Sequence, residues 1–140
     1  MKFSLILLIL MYFSIMSACN NPSNQLIEEY LKKMEIDISY GNKYIIIQTQ
    51  YCKPCQNELL TNMLANRICL DEYQIIIVKS TKILDADFKN FINTINVIVD
   101  EKSEFNKLNI YPFENILIIR ENEDFIIQPF DENCLSKLCN

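Results

Sequence analysis

The feature that most constrains this chain is a series of short, unbroken apolar runs. Residues 43–50 read KYIIIQTQ, 73–79 YQIIIVK, 95–100 INVIVD, 115–120 NILIIR and 124–128 DFIIQ. Each has the length and β-branched content of a strand, and most carry no polar residue inside the Ile/Val stretch, so both faces must be kept from water. The segments between them can do the covering. Residues 25–34 (QLIEEYLKKM) place Leu26, Ile27, Tyr30, Leu31 and Met34 at helical spacing, with Ser23 or Asn24 as a cap. Residues 54–68 put Leu59, Leu60, Met63, Leu64 and Ile68 on one helical face. Residues 85–93 read as a short helix, 103–108 as a helical turn and 131–138 as a closing helix. Gly41-Asn42 is a turn, and residues 121–123 make the last two runs a hairpin. The order α, then βαβαβ, then ββα predicts one α/β domain with a mixed central β-sheet and helices on both faces. There is no internal repeat, low-complexity tract or long linker.

Composition then removes whole classes of chemistry. The chain has 140 residues, one Gly, no His and a net charge of −5. Without His there is no Ser-His-Asp or Cys-His machine, no His-ligated zinc and no histidine pH switch. One Gly excludes the Gly-rich phosphate loops. The negative charge opposes binding along a phosphate backbone, so no nucleic-acid partner is expected. The acidic residues are scattered, with no pair at a strand end to suggest glycoside hydrolysis or a calcium loop. Cysteine chemistry, carboxylate chemistry and plain binding remain.

The N-terminus reads as an address. Lys2 is followed by the apolar run 3–16 (FSLILLILMYFSIM) and the small residues Ser17 and Ala18. The run is short of the roughly 18–20 residues needed to span a bilayer, and the arrangement is that of a secretory signal peptide. The sequence Met16-Ser17-Ala18-Cys19 resembles a bacterial lipobox, with Met16 where Leu is usual. That resemblance implies a signal peptide over residues 1–18, acylation of Cys19, a tether over 19–24 and a domain over 25–140. The domain would be lipid-anchored to a bacterial membrane, facing the periplasm or exterior, where disulfides persist.

Tyr51-Cys52-Lys53-Pro54-Cys55 falls between the first strand and the following helix. A CxxC at a strand–helix junction reads as a redox pair. Cys52 at a helix N-terminus would have its thiolate favoured by unsatisfied N–H groups and the macrodipole, with Lys53 adding positive charge. Pro54 suits the first helical turn, and Cys55 lies one turn on, close enough to close a disulfide. Cys52 would attack a partner disulfide and Cys55 would resolve the mixed disulfide. The same pair also admits a structural disulfide, or metal binding if Cys134 and Cys139 were brought over as two further ligands.

From residue 43 to residue 130 the chain resembles the membrane-anchored, thioredoxin-like thiol–disulfide oxidoreductases of the TlpA/ResA type. The family shows a strand and then C-x-P-C-x-x-E, matched by Cys52-Lys53-Pro54-Cys55-Gln56-Asn57-Glu58. It continues with a strand ending in Asp, a short helical stretch, a cis-Pro loop and a hairpin. INVIVD ending at Asp100, Tyr111-Pro112-Phe113 and NILIIRENEDFII correspond. The resemblance implies a thioredoxin-like fold, a cis Pro112 packed against the CxxC, and docking of the partner chain on the Tyr111 backbone. The residue pattern alone also admits Pro112 as a trans proline entering a strand. Tyr51 stands where Trp is usual and reads as a rim aromatic. Leu60 stands where a Pro is usual, and Ile46 where thioredoxins carry a buried acid. Glu58 is then either a proton-transfer group for Cys55 or a solvated helix residue.

The resemblance implies an enzyme without a cofactor, working in the reducing direction. Its implied partners are oxidised envelope proteins, apocytochrome c among them, and a membrane-bound electron donor. A redox-inactive thioredoxin-fold lipoprotein acting as a binding module is the alternative, and a copper-chaperone-like metal carrier a third reading. Of the remaining thiols, Cys69 ends the CxxC helix, and the thioredoxin-like resemblance implies either a bridge from it to Cys134 or Cys139 on the closing helix or three free cysteines packed as small hydrophobes. Five residues place Cys134 and Cys139 roughly 140° apart around a helix, which disfavours a bridge between those two.

Overall fold

Every one of the apolar runs becomes a strand, and the layers around them explain why so few of their positions are polar. The structure, a computed structural model, describes residues 22–36, 38, 43–50, 53–79, 86–110 and 115–139. Its elements are α1 (Pro22–Lys33), β1 (Lys43–Gln48), α2 (Lys53–Ala65), β2 (Gln74–Val78), α3 (Ala86–Thr94), β3 (Val97–Asp100), β4 (Ile116–Glu121), β5 (Asp124–Pro129) and α4 (Glu132–Cys139). Two 3-10 turns, Arg67–Leu70 and Phe105–Leu108, follow α2 and β3.

The sheet order is β3-β2-β1-β4-β5. β1 runs parallel to β2 from Tyr44↔Gln74 to Gln48↔Val78, and β2 parallel to β3 from Ile75↔Val97 to Val78↔Asp100. β4 is antiparallel to β1, from Lys43↔Ile119 to Ile46↔Ile116, and β5 is antiparallel to β4. Asn122 at φ 58° accepts the left-handed backbone of the tight turn between Glu121 and Asp124, where Asn is well tolerated. A central β1 flanked by a parallel β2 and an antiparallel β4–β5 hairpin, closed by a C-terminal helix, is the thioredoxin-like α/β arrangement, with β3 added at the far edge.

Because β1, β2 and β3 add in one direction, right-handed crossovers put α2 and α3 on the same face. Ile45, Ile47, Ile75, Ile77 and Leu117 pack there against Leu59, Leu60 and Met63 of α2, Phe88 and Phe91 of α3 and Leu135 of α4. The alternate residues Tyr44, Ile46, Ile76, Val78, Ile116 and Ile118 pack on the other face against Ile27, Tyr30 and Leu31 of α1, with Phe105 beside them. This two-sided burial makes the strands nearly all-apolar.

Two boundaries differ from expectation. α1 starts at Pro22, which is suited to a first helical turn, so residues 22–24 of the expected tether are helical. Asn24 also fastens α1 to the edge strand: its Nδ2 donates to Asp124 Oδ1 (2.6 Å) and its Oδ1 accepts from Phe125 N (3.2 Å). The CxxC helix stops at Ala65 rather than reaching Ile68. Asn66 N is shared between the Asn62 and Met63 carbonyls, and the chain tightens into the 3-10 turn. That change of pitch turns Ile68 outward, 82% exposed, and buries Leu70 in its place. Among the described residues no helix is long and apolar enough to cross a membrane.

Candidate active site

The CxxC lies at the carboxyl end of β1, the central strand, where the chain enters α2. The helix opens at Lys53, directly after Cys52 in the sequence, and no acidic residue stands in its first turn. Pro54 and Cys55 are exposed in that turn. Cys55 is disulfide-bonded, to a partner outside the described residues.

Gln48, the last residue of β1, is only 1% exposed and lies at the centre of a set of polar ties. Its backbone N–H donates to Asn115 Oδ1 at 2.9 Å. Its carbonyl accepts from Gln56 Nε2, and Gln56 is itself 4% exposed. Gln56 shares the inward stripe of α2 with Leu59, Leu60 and Met63, so this amide sits where the pattern calls for an apolar residue. Its Oε1 has no hydrogen-bond partner among the described residues. Thr49 continues the connection to β2, its N–H and its hydroxyl each donating to the Val78 carbonyl at 3.2 Å. Asn115 in turn accepts Phe130 N on its own carbonyl at 2.7 Å, joining the start of β4 to the end of β5.

Asp100 organises the chain that follows β3. It ends β3, is 1% exposed, and accepts from Glu104 N (3.0 Å), Phe105 N (3.0 Å) and Tyr30 OH (3.3 Å). Burial, followed by the adjacent Asp100 carboxylate, pushes the Tyr30 hydroxyl far above its ordinary range. The Asp thereby caps the 3-10 turn Phe105–Leu108 and ties it to α1. Asn109, at φ 52°, ends that turn in the left-handed region. Outside it, Glu104 pairs with Lys33 (2.7 Å) and Lys107 (2.9 Å). These two hydrogen-bonded ammonium groups hold its carboxyl down at about 2.

Of the residues singled out in the sequence, Lys53, Pro54, Cys55 and Glu58 fall within α2. Glu58 is exposed, on the opposite side of the helix from the buried stripe. Ile46 is fully buried among the α1-side residues. Cys19, Tyr51, Cys52, Tyr111 and Pro112 lie outside the described residues. Sequence reasoning passed over Gln48, Gln56 and Asn115. The available signals were a polar Gln directly after three isoleucines, an amide on an apolar helical stripe, and an Asn just ahead of a strand.

A second disulfide joins Cys69 to Cys139, with Cα atoms 5.5 Å apart and a sequence separation of 70. It staples α4 to the turn that ends α2. Of the two partners open to Cys69, Cys139 is taken and Cys134 keeps a free thiol. Burial, then the neighbouring Asp131, raises the Cys134 thiol above its ordinary value. With Cys139 held in a disulfide, Cys134 and Cys139 cannot together complete a four-thiolate metal site with the CxxC.

No family model matches the chain, and no curated protein matches it. Among solved structures it is similar to StoA from Bacillus subtilis, at 21% identity and a TM-score of 0.44, over 71% of this chain and 84% of that one.

Proposed function

We propose that this protein is a thiol–disulfide oxidoreductase of the bacterial cell envelope, anchored by lipid on Cys19 and reducing disulfides of extracytoplasmic proteins through Cys52 and Cys55. The observation that carries the reading is the exposed, disulfide-bonded Cys55 in the first turn of α2, at the carboxyl end of the central strand. Its partner in this reading is Cys52. In the reduced protein the Cys52 thiolate attacks one sulfur of a substrate disulfide. The substrate S–S bond breaks, and the departing sulfur takes a proton. The Cys55 thiolate then attacks Cys52, releasing the second substrate thiol and leaving a Cys52–Cys55 disulfide. Two electrons have passed to the substrate, and a membrane-bound dithiol donor restores the pair.

Tyr51 shields the pair, Lys53 and Pro54 shape the helix entry, and Pro112 and the Tyr111 backbone dock the substrate chain. Trapping tests this assignment of roles. A Cys55→Ser variant should accumulate a mixed disulfide through Cys52, while Cys52→Ser should abolish turnover. Unchanged turnover in Cys52→Ser would overturn the mechanism. A Cys19→Ser variant should leave the membrane fraction, and retention there would overturn the anchor.

A binding module with a permanent Cys52–Cys55 bridge is the second reading. It is favoured by Ile46 at the thioredoxin acid position and by the outward Glu58, which leave amides rather than a carboxylate buried beside the α2 entrance. Resistance of the bridge to mild reductant would select it.

A further inference from the structure

Beyond the cysteines, the ties around Gln48 have a geometry of their own. β1 ends at Gln48, Thr49 and Gln50 continue from it, and the described chain resumes at Lys53 after Tyr51 and Cys52. After residues 111–114 the described chain resumes at Asn115. The last described pairing of β1 with β4 is Ile46↔Ile116, so Gln48 and Asn115 lie just past the described ladder. There the two polar groups of the Gln48 backbone are met by side chains, the N–H by Asn115 and the carbonyl by Gln56. The two backbone groups of one residue thus hold α2, which carries Cys55, and the residue that leads into β4.

The chemistry of each tie is directional. Asn115 supplies an acceptor and Gln56 a donor, and neither can reverse its role at Gln48. An apolar side chain would suit the Gln56 position on the α2 stripe and would leave no carboxamide oxygen unsatisfied. What the amide adds there is a fixed link from helix to strand.

We propose that Gln56 and Asn115 are positioning residues that clamp the Gln48 backbone groups and so hold the α2 entrance, which carries Cys55, in register with the start of β4. This rests on the oxidoreductase reading. In that reading the clamp acts where a substrate must reach Cys52 while docked on Tyr111 and Pro112. It matters less for a small disulfide that reaches the sulfur without docking.

The test compares two substrates on the full chain in detergent, a disulfide-bridged fluorogenic peptide and 2-hydroxyethyl disulfide. Gln56→Leu and Asn115→Ala should lower the peptide rate about tenfold relative to the small-disulfide rate, as misplacement of bound reactants does. Gln56→Glu keeps the size but turns an acceptor toward the Gln48 carbonyl, and should fall as far as Gln56→Leu. Asn115→Asp keeps the acceptor and should retain most of the peptide rate. An unchanged ratio of the two rates would overturn the clamp, as would an equal fall on both substrates or an Asn115→Asp as poor as Asn115→Ala. A wild-type chain that reduces neither disulfide would instead overturn the oxidoreductase reading on which the clamp rests.

Discussion

Removing the bridge between Cys69 and Cys139 should be among the most damaging changes available outside the core. The two residues are 70 apart in sequence, so the bridge closes a large loop in the unfolded chain. In the chain-entropy treatment a loop of that size lowers the unfolded-state entropy by about 15 cal/mol/K, or about 4.4 kcal/mol at 25 °C. Each Cys→Ala change also removes one half-buried sulfur packed on the core, adding well under about 1 kcal/mol per site. A domain of about 120 residues has an unfolding entropy of about 0.25 kcal/mol/K, so a loss of about 4 kcal/mol lowers Tm by about 15 °C. Urea and thermal unfolding of Cys69→Ala/Cys139→Ala against wild type, without reductant, measure both quantities. The m-value should rise as well, because the unlinked chain exposes more surface when unfolded. Cys139→Ala alone should match the double variant to within about 0.5 kcal/mol, since either change breaks the same bond. A loss below about 1 kcal/mol, or single variants whose effects simply add, would refute the reasoning.

Three further outcomes follow from individual side chains. Asp100→Asn withdraws one charged acceptor from a buried site holding two backbone N–H groups and the Tyr30 hydroxyl, and should cost about 1–3 kcal/mol in chemical denaturation. Glu104 should titrate at about 2 by carboxyl NMR. Its folded value is depressed, so its stabilising contribution is present above the unfolded glutamate range and is lost as pH falls from about 4.3 toward 2, with salt weakening it throughout. Cys134, with its thiol raised by burial, should alkylate at pH 8 more slowly than a free cysteine peptide and catch up in denaturant; equal rates in the folded protein would contradict its placement.

The Ile-rich runs made the architecture legible, because a strand apolar on both faces implies covering layers and the intervening segments have helical spacing. Local chemistry set the limits of that reading. Ile68 continues the helical periodicity of α2, yet the switch to a 3-10 turn after Ala65 carries it into solvent, and no pattern of apolar spacing encodes that change of pitch. Cys69 had two possible partners on one helix. Only the three-dimensional position of α4 against the end of α2 selects Cys139. The CxxC announced itself by spacing, by Pro54 and by its place between strand and helix. Gln56 and Asn115 did not, since each acts on the Gln48 backbone rather than on another side chain, and a contact to backbone leaves no matching residue type in the sequence. Asp100 was visible as the end of a strand, but its role as acceptor for Tyr30, 70 residues earlier, depends on α1 lying across that face.

The central claim is that Cys52 and Cys55 form a reducing dithiol pair. Its most direct test is the reduction potential of that pair in the full chain, read by alkylation and mass analysis of the peptide carrying both cysteines across a dithiothreitol and glutathione series. This readout separates the pair from the Cys69–Cys139 bridge. The account expects one two-electron transition near or below about −250 mV, in the range of thioredoxin-like reductants. A transition at about −120 to −180 mV would contradict the reducing direction, and a pair that does not titrate at all would contradict the redox function itself.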